Sequence, residues 1–246
     1  MDFSAFPKIA RLSRNCTVTE KLDGTNASIL IQELDEDSPG KFEVLDGIPY
    51  LLRAGSRSRW ITPEEDNFGF ARWVYDRADE LVHLGPGHHF GEWWGQGINR
   101  GYGLSERRFS LFNTPRWHDP KITGSGECLP LEGGKWCPPC CHVVPVLYEG
   151  EFSGVNWIDM VLALQATGSR AALGFMDPEG IVIYHHAANI MFKKTIKGDE
   201  EGKHAETRPK KVKPPKPAHE PQIMWAGGRR ISGVPYPLGA ERRIPR

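Results

Sequence analysis

The sequence has no long uncharged apolar run, no net charge of either sign and no internal repeat. A helix needs ~20 consecutive apolar residues to span a bilayer, so no segment here qualifies as a membrane-spanning helix. Residues 1–10 lack a basic segment followed by a long apolar core, which predicts a cytoplasmic protein without a signal peptide. A formal net charge of zero argues, taken alone, against a nucleic-acid partner. Cysteine is sparse, at five of 246 residues, and an odd number fits no simple disulfide framework.

What is present is ordinary for a globular domain: 39% hydrophobic and 25% charged residues, in a chain long enough for one substantial core. The charges are segregated. Residues 199–246 hold 11 Lys+Arg against 6 Asp+Glu, and residues 1–198 hold 20 against 25. An acidic body with a basic tail is compatible with an enzyme that gathers metal ions and phosphates locally.

β-branched and apolar residues predict strands over 17–22 and 27–34, with Asp23-Gly24 as a turn signal between them. A second hairpin is expected over 41–45 and 49–53. Thr62-Pro63-Glu64-Glu65 has the pattern of a helix start, and Phe70, Trp73, Val74, Ala78 and Leu81 follow at helical spacing. Further strands are expected at 89–94, 108–112, 143–148, 180–184 and 190–195, with a helix over 157–165. This is an α+β pattern of antiparallel sheets and few helices. It predicts a body over 1–198 with a cysteine-rich insertion near 118–142. A Pro- and Lys-rich linker and tail over 199–246 are too short to form a core alone.

Glu20-Lys21-Leu22-Asp23-Gly24-Thr25-Asn26 carries the chemistry. A nucleophilic lysine needs surroundings that favour the attacking amine, and a neighbouring glycine leaves room for a phosphate. On a regular strand Asp23 lies on the same side as Lys21, where it orients the amine or a metal-bound water. A surface hairpin with a charged lysine and an Asp-Gly turn is the other reading of these residues.

Lys21-Leu22-Asp23-Gly24 resembles motif I of the covalent nucleotidyltransferases, which include ATP-dependent DNA ligases, RNA ligases and mRNA capping enzymes. The other motifs follow in order. Ser56-Arg57-Ser58-Arg59 resembles motif Ia, which implies that Arg57 and Arg59 contact phosphate or the nucleic-acid end. Phe90-Gly91-Glu92-Trp93-Trp94-Gly95 resembles motif III, which makes Glu92 the ribose-holding carboxylate. Phe109-Ser110-Leu111-Phe112-Asn113 resembles motif IIIa, with Phe112 stacking on adenine. Glu179-Gly180-Ile181-Val182 resembles motif IV, with Glu179 on a catalytic Mg²⁺ or Mn²⁺. Phe192-Lys193-Lys194-Thr195 resembles motif V, whose lysines grip the α-phosphate. That motif usually reads Lys-x-Lys, whereas here Lys193 and Lys194 are adjacent and Thr195 takes the second position.

The resemblance implies a nucleotidyltransferase (ligase adenylation) fold that forms lysyl-AMP from ATP on Lys21, with Lys21, Asp23, Lys193 and Lys194 as catalytic residues. Glu20 and Asn26 join the nucleotide pocket. DNA ligases and capping enzymes carry arginine where this chain has Asn26, and Gly-Thr-Asn is similar to the RNA ligase branch of phage and RNA-editing enzymes. The stretch after Gly198 is also too short for the OB-fold barrel that DNA ligases add. The expected substrate is therefore RNA with 5′-phosphate and 3′-hydroxyl ends. The alternatives are a nick-sealing DNA ligase, another lysyl-nucleotidyltransferase, or a binding module without activity.

Two features lie outside this scheme. Cys128, Cys137, Cys140, Cys141 and His142 have the spacing of a structural zinc site, or else form an insertion loop with Cys141 in the core. The basic tail, including Lys210, Lys211, Lys213 and Lys216, either binds RNA phosphates or is a solvated linker.

Overall fold

The computed structural model describes residues 9–33, 40–121 and 134–198, together with the backbone of 225–226 and 229–230. Cys128 and the lysines of 210–216 lie outside the described residues. The chain divides into two units, Met1–Gly202 and Lys203–Arg246. In the second, Trp225–Ala226 pairs antiparallel with Arg229–Arg230.

In the first unit the strands are β1 (Asn15–Lys21), β2 (Thr25–Glu33), β3 (Lys41–Leu45), β4 (Ile48–Ser56) and the short β5 (Trp60–Ile61). Helices α1 (Phe70–Asp76) and α2 (Ala78–Leu81) follow, then β6 (Gly87–Gly95), β7 (Arg107–Leu111), β8 (Trp117–His118) and β9 (Lys135–Trp136). β10 (Cys141–Val143), β11 (Val146–Glu151), α3 (Trp157–Thr167), β12 (Gly180–His185) and β13 (Ile190–Thr195) complete it.

These strands build two main sheets. One has seven strands, in the order β10-β7-β6-β2-β4-β3 with β5 on β4; the other has four, in the order β11-β1-β12-β13. The pairing is antiparallel except between β10 and β7 and between β8 and β9. The α+β class expected from the sequence is the class found. Among the described residues no helix is long and apolar enough to cross a membrane.

The seven-stranded sheet packs one face against α1 and α2 around a core of Ile29, Ile31, Leu52, Phe70, Trp93 and Phe109. Phe70 and Trp73 lie 5.8 Å apart between ring centroids, and each lies within 5.1–5.8 Å of Trp93 and Phe109. Aromatic rings supply large apolar area, and tilted pairs add to it. The four-stranded sheet has a smaller core of Cys16, Val18, Leu164, Ile181 and Ile183, covered by α3. Asn156 caps α3, its side chain accepting from the Asp159 N–H at 3.3 Å.

Three expectations need correction. Asp23-Gly24 does not close a hairpin, because β1 and β2 belong to different sheets. The helix does not begin at Thr62; it begins at Phe70, where the Asp66 carboxylate accepts from the backbone N–H groups of Ala71 and Arg72 at 2.8 and 3.0 Å. Thr62 forms only a local turn with Glu65. The strand expected over 143–148 is two strands in two sheets, parted at Pro145. Proline cannot donate to a ladder, and its carbonyl instead accepts the Glu20 N–H at 2.9 Å.

Candidate active site

Three residues, Leu22 to Gly24, carry the chain from the four-stranded sheet to the seven-stranded one. They sit where the backbones of the two sheets converge. A Cβ at position 24 would collide with the Trp93 carbonyl, the Trp94 Cβ and the Glu92 Cγ, so only glycine allows β6 to approach this closely. Leu22 is buried with Trp94, Tyr102 and Val144. The Asp23 N–H donates to the Tyr102 hydroxyl at 2.8 Å.

A cleft of about 640 Å³ opens between the sheets, within the size range of small-ligand sites. The four-stranded sheet contributes Thr17, Thr19, Lys21, Val182, Tyr184 and Met191 to its lining. The seven-stranded side contributes Phe90, Glu92, Leu111 and Phe112. Lys21 ends β1 opposite Gly180, and its Nζ donates to Glu179 Oε2 at 2.6 Å.

Across the cleft, Glu92 accepts from the Gly24 N–H at 3.2 Å and from Asn26 Nδ2 at 3.0 Å. Burial pushes the Glu92 carboxyl up to about 7, against the opposing pull of Lys21, Asn26 and the Gly24 amide. Glu20 also lines the cleft. Its Oε2 accepts from the Arg170 and Ala171 N–H groups at 2.7 and 3.1 Å, and burial raises its carboxyl. Glu20 Oε1 is buried with no hydrogen-bond partner, an acceptor that a bound ligand with an N–H could satisfy.

The structure brings Glu20, Lys21, Asn26, Glu92, Phe112 and Glu179 together and places the remaining expected residues elsewhere. Asp23 does not turn toward the Lys21 amine. The strand has ended at Lys21, and the Asp23 carboxylate accepts from Arg100 Nε at 2.8 Å and from Asn99 Nδ2 at 2.9 Å. On β13, Lys193 shares a face with Met191, which lines the cleft. Lys194 lies on the opposite face, with its Nζ 5.8 Å from the Trp157 ring centroid on α3. The adjacency of the two lysines leaves open in the sequence which of them meets phosphate; adjacent strand residues point to opposite sides, and Lys193 is the one on the cleft face. Arg57 and Arg59 are exposed in the turn between β4 and β5 and do not line the cleft. Arg59 reaches Glu65 Oε2 at 3.4 Å.

Zinc finds no support among the described residues, where no group of three or more His, Cys, Asp or Glu is arranged to hold a metal; Cys128 lies outside them. Cys137 and Cys141 are part of the large apolar core, where burial raises the Cys137 thiol to about 12. His142 Nδ1 pairs with Asp119 at 2.9 Å. The cysteines at 137, 140 and 141 are free thiols.

Sequence reasoning missed Arg100, which joins Asp23 to Asp177 with Nη1–Oδ2 at 2.8 Å. Asp177 also takes Lys197 at 2.7 Å. The run Gly95-Gln96-Gly97-Ile98-Asn99-Arg100-Gly101 was the available signal: a glycine-rich loop with one arginine directly after Glu92.

Two mainly antiparallel sheets thus hold a lysine–carboxylate pair on one wall of the cleft and a second carboxylate on the other. The family model described as RNA ligase matches residues 14–197, and the chain belongs to the RNA ligase family. Among solved structures it is similar to an RNA ligase variant of Naegleria gruberi with ATP and manganese. That match has 16% identity, 74% of this chain, 49% of that chain and a TM-score of 0.44. Another variant of the same ligase with AMP and manganese shows 17% identity, 75% and 50% coverage and a TM-score of 0.42. The ligase with pyrophosphate shows 18%, 74%, 50% and 0.42. The chain thus spans about half the length of these ligases. No curated protein sequence matches it.

Proposed function

We propose that this protein is an ATP-dependent RNA ligase in which the Lys21 amine attacks the α-phosphorus of ATP, releasing pyrophosphate and leaving lysyl-AMP. The observation that carries the reading is the Lys21–Glu179 pair at 2.6 Å, on a cleft whose other wall presents Glu92 and Phe112. Glu179 holds the amine at the cleft, and only an amine with a free lone pair attacks phosphorus.

In this reading Glu92, with Asn26 fixed beside it, receives the ribose hydroxyls. Phe112, 41% exposed, offers a ring face to adenine, and Glu20 completes the pocket by fixing the Arg170–Ala171 backbone behind β1. Lys193, on the cleft face of β13, neutralises the phosphates. Arg57 and Arg59 meet the nucleic-acid end outside the cleft. The adenylate then passes to an RNA 5′-phosphate, and a 3′-hydroxyl displaces AMP to close the phosphodiester. Positioning and charge neutralisation dominate phosphoryl transfer, and these residues supply both.

The donor set fits a divalent ion shared with the nucleotide. Mg²⁺ is commonly bound by one or two carboxylates plus substrate phosphates and waters, without an all-protein cage, and Glu179 is the carboxylate in place. When bound there, Mg²⁺ or Mn²⁺ supplies charge neutralisation at the phosphates. Free thiols among the described residues accord with a cytoplasmic site of action. The body over 1–198 carries the site, with 199–246 as an appended tail.

The test is incubation with α-labelled ATP and Mg²⁺ or Mn²⁺. Covalent label on the protein, absent from Lys21→Ala, is the expected result; an unlabelled protein across metals and pH overturns the reading. Transfer of the adenylate to single-stranded RNA, nicked duplex RNA or nicked DNA then decides the substrate.

A further inference from the structure

The cleft face of the seven-stranded sheet continues past Glu92. Side chains two apart on a strand share a face, so Glu92, Phe90 and His88 line up along β6. Ser28 on β2 pairs with both Phe90 and Gly55, and Gly55 pairs with Trp60. Phe90, Ser28, Gly55 and Trp60 therefore form one row across four strands. In the next row Leu30 pairs with both His88 and Arg53.

The rings on this face touch in sequence. His88 and Phe90 have centroids 4.1 Å apart, Trp60 and His88 stack at 5.6 Å with planes 30° apart, and the Arg53 guanidinium sits 4.4 Å from the Trp60 ring centroid. The indole lies on the sheet because Gly55 has no side chain; a Cβ there would stand 3.2 Å from Trp60 Cζ3. These rings nevertheless remain open to solvent, Phe90 at 55% and Trp60 at 41%. Burial of apolar surface does not explain them.

Charge distinguishes the kinds of partner. Arg53, Arg57 and Arg59 gather at this end of the sheet, although residues 1–198 carry more acidic than basic residues. Exposed rings on a sheet, joined to arginines, are suited to the faces of unpaired bases and the phosphates between them.

We propose that Trp60, His88 and Phe90 form a base-stacking platform for a single-stranded segment of RNA, delivering its end along β6 into the cleft at Glu92. This rests on the RNA ligase reading for the identity of the strand. It extends the cleft wall formed by Phe90 and His88 outward to Trp60, which lies beyond the cleft, as a surface that selects single-stranded bases.

The test compares two 5′-phosphorylated oligomers of equal length, one an ordinary single-stranded RNA and the other lacking its bases, by fluorescence anisotropy on the full chain. The unsubstituted protein binds the base-bearing strand ~10-fold or more tightly. Trp60→Ala and Phe90→Ala each lose most of that preference, and Trp60→Phe restores it. The dependence on salt is unchanged in Trp60→Ala, whereas Arg57→Ala flattens it. Equal affinity for the two oligomers, or a preference that survives both alanine variants, overturns the platform. So does a Trp60→Ala protein whose only change is in oligomeric state by sedimentation, because the surface would then bind protein. A protein that takes no label from ATP yet shows the base preference overturns the ligase reading and supports the platform.

Discussion

The two sheets that enclose the cleft are built differently. The seven-stranded sheet buries a cluster of aromatic rings beneath α1 and α2 and presents Glu92, Asn26 and Phe112 above it. The four-stranded sheet rests on five small or aliphatic side chains under α3 and carries Lys21, Glu179 and Lys193 near its strand ends. The thick core is an aromatic cluster, whereas on the wall with the thin core an ionic tie, Lys21–Glu179, supplements the packing.

The largest test of that contrast is in the cores. Phe109→Ala, at a fully buried position of the aromatic cluster, is expected to cost ~3–5 kcal/mol and to lower the urea midpoint steeply. Ile181→Ala in the smaller core should cost less, about 2–3 kcal/mol within the aliphatic range. A larger loss at Ile181 than at Phe109 breaks the comparison.

Glu179→Ala comes next. Removing the carboxylate beside the nucleophile is expected to slow lysyl-AMP formation ~10²–10³-fold while leaving the far-UV circular dichroism spectrum intact. Full-rate labelling of this variant would remove Glu179 from the chemistry.

Glu92 gives a smaller effect, in pH. Its carboxyl is raised to about 7 in the fold from an unfolded value near 4.5. A raised folded value means that the protonated carboxyl is the better-tolerated form. Its contribution is complete below pH ~4.5 and is lost as pH rises through 7. Thermal midpoints of Glu92→Gln should fall less across that window than those of the unsubstituted protein; parallel curves would contradict the assignment. Arg100→Ala closes the series at about 1 kcal/mol, since its pairs are partly exposed and screened. Differential scanning calorimetry at low and high salt reads it out, with the smaller loss expected at high salt.

What was legible in the sequence follows from how local each cause is. Alternation and turn residues located β6, β7, β12 and β13 to within two residues, because those signals lie inside the strands. Lys21, Glu92 and Glu179 were legible as an ordered set of motifs. The separation of β1 from β2 was not, because Asp23-Gly24 has the same composition in a hairpin and in a crossover. The partners that decide between them, β11 and β12 on one side and β6 on the other, lie far along the chain. Pro145 was a visible warning within the strand expected over 143–148. Asp66 as a helix cap was masked by the more conventional Thr62-Pro63 pattern four residues earlier. The direction of Asp23 depended on Arg100, which no spacing rule connects to it.

The short passage from Lys21 to Thr25 sets a limit on motion. A chain reaches at most ~3.3–3.6 Å per residue, so the ends of β1 and β2 are tethered within about 14 Å whatever the cleft holds. The two walls cannot part there. Any widening of the cleft is therefore smallest at Leu22–Gly24 and grows away from it, like a book opened about its spine. The Lys21 amine lies beside the spine, where displacement is least, and the Trp60 end of the sheet lies nearer the opening pages.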